Sequence, residues 1–336
     1  MTFIPLLTRI FLLTSLSFII AIILTPILTH FLYKYKLGQK IRLKAATGEK
    51  ASVFRAFHKS KENTPTMGGI VIWVPVAIVT FFFNLTRAET YLPLATLVAS
   101  GSLGLIDDLI NTLGIGIKKG LGIFQKFFWQ FAIAILGAWW FYFKLGFSII
   151  HVPGIGDFNI GWLYIPLFIF VIIATTNAVN ITDGLDGLAG GCLITAFAAF
   201  AVIAFFKGQV VLATFCMTII GALLAFLWFN IYPARFFMGD TGSLALGATL
   251  AIVAFLTNSV LVLPVVGFIF VIETLSSIVQ ILSKKLRKGK KIFLSAPLHH
   301  HLEAIGWPEP KIVMRLWIVS GVFAAFGIVL GLIGRG

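Results

Sequence analysis

Residues 177–187 read NAVNITDGLDG, and they separate two apolar runs, GWLYIPLFIFVIIATT at 161–176 and LAGGCLITAFAAFAVIAFF at 188–206. The short segment concentrates two amides, two carboxylates and two glycines. A carboxylate near hydrocarbon is costly unless it faces water, a cation or a polar partner. Oxygen ligands beside glycines also suit a hard cation and a nearby phosphate. The pattern predicts membrane-spanning helices that a functional polar segment interrupts.

The composition extends this interpretation to the whole chain of 336 residues. Apolar residues make up 59% and charged residues 11%, whereas a soluble domain carries about 25% charged residues. The net charge of +14 raises nucleic acid as an alternative partner. The basic residues instead cluster beside the apolar runs, and no nucleic-acid-binding motif is present. We therefore predict an integral membrane protein that contacts the lipid bilayer and no nucleic acid, with anionic lipid or an anionic substrate as the partner of the basic charge.

Ten apolar runs are long enough, or nearly so, to cross a bilayer as helices. We expect one all-helical (all-α) polytopic membrane domain over residues 1–336. A single helix over 244–283 would be about 60 Å long, twice the hydrocarbon thickness, so we place a turn near Asn258, Ser259 and Pro264. The ten runs lie near 10–33, 67–84, 91–106, 127–145, 161–176, 188–206, 209–229, 244–257, 260–283 and 312–334.

With ten spans, five connections share one face of the membrane, and they hold 20 of the 26 lysines and arginines. The excess of positive charge places this face in the cytoplasm and both termini outside. Five of the six aspartates and four of the six histidines lie on the same face. The exception among the aspartates, Asp157, lies in a segment at 152–161 that we expect to be an external turn or short hairpin. The five connections are 34–66, 107–126, 177–187, 230–243 and 284–311.

Three aspartate motifs fall on the predicted cytosolic face. Asp107 and Asp108 follow the third run; adjacent carboxylates repel each other, which favours a nearby cation over a solvated helix end. Asp183 and Asp186 each precede a glycine, and would share a helix face with Asn180 unless the segment is a turn.

The third motif, GDTGS at 239–243, precedes the eighth run. Its aspartate, Asp240, is either a helix N-cap or a metal ligand, with Thr241, Ser243 and backbone N–H groups free for phosphate oxygens.

Three consecutive histidines, His299, His300 and His301, lie in the last cytosolic connection. Consecutive side chains converge poorly on zinc, so we expect one or two to hydrogen-bond a phosphate or sugar and the remainder to be structural. Lys59, Lys118 and Lys126 are either phosphate ligands or membrane-surface lysines. Glu273 lies inside the ninth run, where it either pairs within the bundle or lines a pathway.

Several of these motifs together resemble the polyprenyl-phosphate N-acetylhexosamine-1-phosphate transferases, over nearly the whole chain. The mid-chain motif is typical of the superfamily, and the histidine stretch favours its muramoyl branch over relatives that use other sugar nucleotides. The resemblance rests on TPTMGG at 64–69, residues 104–108 and 177–188, Asn230, residues 237–243, and residues 296–303 followed by Gly306 and Trp307.

The resemblance implies a Mg²⁺-dependent transfer at the cytosolic face of the bacterial inner (cytoplasmic) membrane. Undecaprenyl phosphate would attack the diphosphate of UDP-N-acetylmuramoyl-pentapeptide, which gives lipid I and UMP in peptidoglycan synthesis. It also implies Asp240 as the magnesium ligand and Asp107, Asp108 and Asp183 as catalytic residues. The implied substrate-binding residues are Lys59, Thr64, Lys126, Asn180, Leu185, Asp186, Asn230, Phe237, His299, His300 and His301.

Two alternatives to this function stay open at the level of sequence. One is a related transferase that uses another UDP-N-acetylhexosamine. The other is a transporter of a phosphorylated solute, which would place its binding residues near the bilayer midplane, often in inverted repeats. The acids here lie near one surface, and no internal repeat is present. The identity of a general base, if the reaction uses one, and a homodimeric assembly are also left open.

Overall fold

The computed structural model describes residues 3–38, 61, 64–87, 89–114 and 121–333. These residues form twelve α-helices and one two-stranded sheet. The helices are α1 (Phe3–Lys34), α2 (Ile70–Phe83), α3 (Tyr91–Leu113), α4 (Ile123–Trp139), α5 (Tyr164–Thr182), α6 (Leu188–Phe206), α7 (Val210–Asn230), α8 (Gly239–Leu256), α9 (Leu263–Val266), α10 (Phe268–Leu286), α11 (Leu298–Ala304) and α12 (Glu309–Leu332).

Seven of these helices are long and apolar enough to cross a membrane, which confirms a polytopic membrane protein. They are α1, α3, α5, α6, α7, α8 and α12. The helices α2 and α4 have only 14 and 17 residues, and α10 turns Glu273, Ser276 and Gln280 toward the protein interior. The count of ten spans therefore stays a prediction. The expected turn between the eighth and ninth runs is present, since α8 ends at Leu256 and α10 begins at Phe268.

A short β-hairpin is the exception to the all-helical expectation among the described residues. Strands β1 (Ile149–Val152) and β2 (Gly156–Asn159) pair antiparallel, with His151 opposite Asp157. Nδ1 of His151 lies 2.7 Å from Oδ1 of Asp157. The hairpin that the sequence predicted around this aspartate is thus confirmed, and it accounts for the one aspartate outside the acidic motifs.

The helix α8 is the centre of the bundle. Every residue from Thr241 to Leu256 is buried, as expected of a helix that is apolar on all sides. Its main neighbours are α3 and α5. Gly247 allows the close approach of α5, since a Cβ there would lie 2.7 Å from the Cα of Thr176. This packing brings the ends of α3 and α5 that carry the acidic motifs to the first turn of α8.

One expectation about a helix end was wrong, and one conditional alternative did not form. The third run was expected to end at the paired aspartates, but α3 continues to Leu113 and ends at Gly114, whose φ of 69° is left-handed. Asp107 and Asp108 therefore lie within the helix and do not face its terminal carbonyl groups. The segment 183–187 is a turn because α5 ends at Thr182, so Asp183 and Asp186 do not share a helix face with Asn180.

Candidate active site

A glycine contact places the first acidic motif beside the third. A Cβ on Gly104 of α3 would overlap the backbone carbonyl of Asp240 in the first turn of α8. Only glycine allows two helices to approach this closely. Asp107 and Asp108 lie one turn further along α3, and so they face Asp240. The sequence motif from Gly104 to Asp108 therefore contributes to helix packing and also carries two carboxylates of the site.

Asp107, Asp108 and Asp240 each offer a carboxylate oxygen, and these oxygens lie within 4.8 Å of one another. Asp107 and Asp108 are buried, with 3% and 6% of their surface exposed. Three anionic groups in so small a volume require positive charge. Carboxylate oxygens are the ligands that magnesium prefers, together with substrate phosphates, so the donor set fits the metal that the family resemblance implied.

Lys126, from the first turn of α4, supplies one positive charge. Its Nζ lies 2.6 Å from Oδ2 of Asp107 and 2.6 Å from Oδ2 of Asp240. The other oxygen of Asp107 accepts a hydrogen bond of 2.8 Å from the backbone N–H of Leu121. The prediction that Lys126 belongs to the charged site agrees with this geometry, and its position in the cluster sets it apart from a membrane-surface lysine.

Amide and hydroxyl groups contact two of the three remaining carboxylate oxygens. Nδ2 of Asn180 donates to Oδ1 of Asp240 at 2.7 Å and to Oγ of Ser243 at 2.8 Å. Oδ2 of Asp108 accepts from the backbone N–H and the hydroxyl of Thr241, at 3.0 and 2.7 Å. Asp240 lies inside the first turn of α8, where Met238 is the N-cap. The N-cap alternative for Asp240 was therefore wrong.

Asp183 follows the last residue of α5 and lies beside the same cluster. Its carboxylate accepts a hydrogen bond from the backbone N–H of Gly239. Burial raises the pKa of the Asp183 carboxyl to about 7, and the negative charges of Asp240 and Asp108 act in the same direction. A carboxyl group with this pKa exchanges its proton near neutral pH.

Asp186 belongs to a second ionic cluster. Its Oδ1 lies 2.6 Å from Nζ of Lys61, which also lies 2.5 Å from Oε1 of Glu309 at the start of α12. The backbone N–H of Asp186 donates to the same glutamate oxygen at 2.7 Å, and that of Ala234 donates to Oδ2 of Asp186 at 3.0 Å. The cluster ties the 183–187 turn to α12 and to the segment before α8.

Asn230 and Leu185 hold the turn from its inner side. Oδ1 of Asn230 accepts from the backbone N–H of Gly187 at 2.9 Å, and its Nδ2 donates to the carbonyl of Phe236 at 2.9 Å. Leu185 is buried and packs in the hydrophobic core. The structure brings both residues to the site as supports of its backbone, with their side chains already engaged within the protein.

The segment TPTMGG lies directly against the residues before α8. The backbone N–H of Gly68 donates to the carbonyl of Phe237 at 2.8 Å, and the N–H of Phe237 donates to the carbonyl of Pro65 at 2.8 Å. Thr64 and the ring of Phe237 are half-buried at this edge of the site. Lys59, the remaining residue predicted to bind substrate here, lies outside the described residues.

The three histidines have different environments. His299 is fully buried, and its Nδ1 lies 2.9 Å from Oε2 of Glu273. His300 is half-buried, with Nδ1 2.7 Å from Oε2 of Glu303. His301 accepts a hydrogen bond of 3.2 Å from the N–H of Leu294. Among the described residues, the side chains that could together hold a metal ion do not include these histidines.

Sequence reasoning did not find Lys61 and Glu309 and assigned no chemistry to Glu273. A lone lysine in a basic loop looks like any membrane-surface lysine. Glu309 lies next to a proline at the predicted edge of the last run and has no neighbouring motif. Glu273 did give a signal, since a carboxylate inside an apolar run requires a partner, but the sequence could not name His299 as that partner.

Comparison with known proteins agrees with this geometry. A family model described as glycosyl transferase family 4 matches residues 90–258, and signature 1 of the phospho-N-acetylmuramoyl-pentapeptide-transferases matches residues 61–72. The phospho-N-acetylmuramoyl-pentapeptide-transferase of Geobacillus thermodenitrificans (strain NG80-2) is 44% identical over 322 residues, which cover 94% of this chain and 95% of that protein. The transferase of the same name from Chloroflexus aurantiacus (strain J-10-fl) is 41% identical over 339 residues, with coverage of 97% and 90%.

The chain belongs to the phospho-N-acetylmuramoyl-pentapeptide-transferase family. The resemblance that the sequence motifs indicated is confirmed, and with it the enzyme class of a phosphoglycosyl transferase. The signature of the phospho-N-acetylmuramoyl-pentapeptide-transferase family begins at Lys61, the lysine of the second ionic cluster, and runs through the glycines that pack on the start of α8.

Proposed function

We propose that the chain transfers phospho-N-acetylmuramoyl-pentapeptide from its UDP carrier to undecaprenyl phosphate, which gives lipid I and UMP in peptidoglycan synthesis. The proposal rests on one observation: the carboxylates of Asp107, Asp108 and Asp240 lie close together at one end of a membrane-spanning bundle. Lys126 contacts two of these carboxylates. One substrate has a lipid tail and the other is water-soluble, so the site must lie where bilayer and water meet.

The charges of the site suit the two phosphate groups that react. Lys126 is the positive group that can contact a phosphate oxygen, and Asn180 holds Asp240 in a fixed orientation. Magnesium, held by Asp240 with Asp107 and Asp108 beside it, would supply positive charge to the diphosphate of the donor. This role fits the donor set, since one or two carboxylates and phosphate oxygens satisfy this ion.

The acceptor does not require a strong base. A phosphate monoester has a second pKa near 6 and is mostly dianionic at neutral pH. The work of Asp107 and Asp108 is therefore positioning and charge balance, which can account for a large part of the barrier reduction. Both carboxylates are already engaged as acceptors, Asp107 with Leu121 and Lys126 and Asp108 with Thr241.

An apolar groove of about 470 Å³ offers space for the polyprenyl chain. It lies between α4, α5, α8 and the α9–α10 segment, and nearly all of its surface is apolar. Asn177 lies at the groove and is one helical turn before Asn180, which donates to Asp240. A lipid held in the groove would thus place its phosphate toward the carboxylates. We propose ten spans, both termini outside, and the site on the cytosolic face of a bacterial inner membrane.

The test is release of UMP by the purified protein in detergent or lipid nanodiscs. UDP-N-acetylmuramoyl-pentapeptide, undecaprenyl phosphate and Mg²⁺ are supplied together, and each is left out in turn. We expect UMP and lipid I only when all three are present. Faster turnover with another UDP-N-acetylhexosamine would assign the chain to a related transferase. Uptake of a phosphorylated solute into vesicles without bond cleavage would contradict the enzyme.

A further inference from the structure

A carboxylate–imidazole pair lies behind the 183–187 turn, away from the acidic cluster. Glu273 of α10 and His299 of α11 both have no exposed surface. Oε2 of Glu273 lies 2.9 Å from Nδ1 of His299 and accepts a second hydrogen bond of 3.2 Å from the backbone N–H of the same histidine. Two contacts from one oxygen fix both the backbone and the ring of His299.

The contact with a carboxylate determines where the proton of the imidazole lies. A carboxylate oxygen only accepts hydrogen bonds, so Nδ1 must carry the hydrogen. The other ring nitrogen, Nε2, is directed at the 183–187 turn. A Cβ on Gly184 would overlap Nε2, so only glycine allows the ring edge to come this close to the backbone of the turn.

Two polar atoms of the pair have no hydrogen-bond partner among the described residues. They are Nε2 of His299 and Oε1 of Glu273, and both are buried. A buried polar atom without a partner costs about 1–3 kcal/mol, and such atoms often mark functional sites. Nε2 is therefore a hydrogen-bonding group without a partner, next to the turn that carries Asp183. Asp183 in turn contacts Gly239 at the start of α8.

The position of the pair indicates the donor side of the site. Five residues of α10 line the apolar groove: Phe270, Val271, Thr274, Leu275 and Ile278. Glu273 belongs to the buried face of this helix together with Ser276 and Gln280. At about 100° per residue, these groove residues are centred about 130° around the helix axis from Glu273. The pair thus faces away from the lipid groove and toward the turn that carries Asp183 and Asp186.

We propose that Glu273 is a positioning residue for the donor nucleotide, which acts by holding the imidazole of His299 with Nε2 toward the Gly184 turn. Nε2 would accept a hydrogen bond from an N–H or O–H group of the nucleotide part of the donor. This inference rests on the proposed function, since it assigns the nucleotide to this side of the site. Glu273 itself touches no reacting atom.

The experiment compares substitutions of Glu273 that separate packing from hydrogen bonding. Glu273→Met fills a similar volume without an acceptor, whereas Glu273→Gln keeps an oxygen for Nδ1–H. We expect Glu273→Met to raise the KM for UDP-N-acetylmuramoyl-pentapeptide about tenfold, the lower end of the effect that loss of a carboxylate partner has on metal-binding histidines. The KM for undecaprenyl phosphate should stay unchanged, and Glu273→Gln should restore most of the donor KM.

A double variant tests whether Glu273 acts through His299. Glu273→Met combined with His299→Ala should bind the donor no more weakly than His299→Ala alone. Ser276→Ala is the matched control, because Ser276 lies on the same buried face of α10 and donates to the carbonyl of Glu273. It should leave both KM values unchanged. Denaturant unfolding of each variant separates a loss of stability from a loss of binding.

Calorimetric binding of UMP is measured in parallel, so that the inference is tested even without turnover. We expect Glu273→Met to weaken UMP binding about tenfold and Glu273→Gln to bind nearly as the unchanged protein does. Unchanged UMP binding in Glu273→Met, equal effects on the two substrates, or additive effects in the double variant would overturn the inference. Absence of UMP release by the unchanged protein would instead contradict the proposed function.

Discussion

The ammonium nitrogen of Lys126 lies 2.6 Å from Oδ2 of Asp240, although the two residues are 114 positions apart in the chain. The same nitrogen contacts Asp107, so one lysine of α4 joins the acidic ends of α3 and α8. Two carboxylates that share a cation are mutually stabilised only while the cation is present. The lysine therefore has a structural role that exists before any substrate binds.

Replacing Lys126 with methionine should leave Asp107 and Asp240 facing each other without a cation. We expect a loss of about 2 kcal/mol in the free energy of unfolding without magnesium, since hydrogen bonds to charged groups are worth about that much. Added Mg²⁺ should recover part of the loss. The check is denaturant unfolding in detergent with and without the ion. Lys144→Met, at an exposed lysine whose Nζ lies 5.4 Å from the centre of the Trp139 ring, is the control and should cost less than about 1 kcal/mol, the scale of an exposed cation–π contact; equal unfolding curves for the two variants would contradict the role.

Gly104→Ala should disturb the site through packing alone. The added methyl group would overlap the carbonyl of Asp240, so α3 and the first turn of α8 must move apart. Overpacking of this kind costs about 2 kcal/mol, and the shift of Asp240 should also reduce turnover. Stability and UMP release are both measured. Gly321→Ala in α12 is the control, because a Cβ there meets nothing within 4 Å; similar behaviour of the two variants would rule out the contact.

Asp240→Asn should abolish turnover while the fold is retained. The amide keeps the size of the side chain and can still contact Asn180, but it removes the charge that the proposed metal requires. A loss of several kcal/mol of transition-state stabilisation corresponds to a fall in kcat of at least about a hundredfold. Magnesium titration of UMP release is the measurement. Asp157→Asn, in the distant hairpin, is the chemically matched control; near-normal activity of Asp240→Asn at low Mg²⁺ would remove Asp240 as a ligand.

The sequence predicted the class of fold and the members of the acidic cluster because each rests on local chemistry. Long apolar runs favour a membrane, and carboxylates beside them require a polar or cationic partner, so Asp107, Asp108 and Asp240 could be selected without a structure. The prediction that they meet depended on charge asymmetry, which places their connections on one face. The side of the membrane on which they lie stays a prediction.

The sequence could not predict which side chains pair with each other, because each pair depends on how helices that are distant in the chain pack together. The assignment of Glu273 to His299 follows from how α10 packs beside α11, and that of Lys61 to Asp186 spans 125 residues. The helical alternative for the segment through Asp183 does not form, because α5 ends at Thr182. Gly184 and Gly187 do signal that break, but the same glycines also suit a phosphate site, and the sequence left both interpretations open.

The second ionic cluster allows a test of whether Lys61 stabilises the protein through its charge. Lys61 separates the carboxylates of Asp186 and Glu309, and all three side chains are largely buried. Lys61→Met should destabilise the protein by about 3 kcal/mol, since breaking a buried ion pair leaves an uncompensated charge. Adding Glu309→Gln removes one of the two facing charges while its oxygen still accepts from the N–H of Asp186. We therefore expect the double variant to be more stable than Lys61→Met alone, as measured by denaturant unfolding. A double variant that is less stable than both single variants would show that the lysine acts through packing and not through charge.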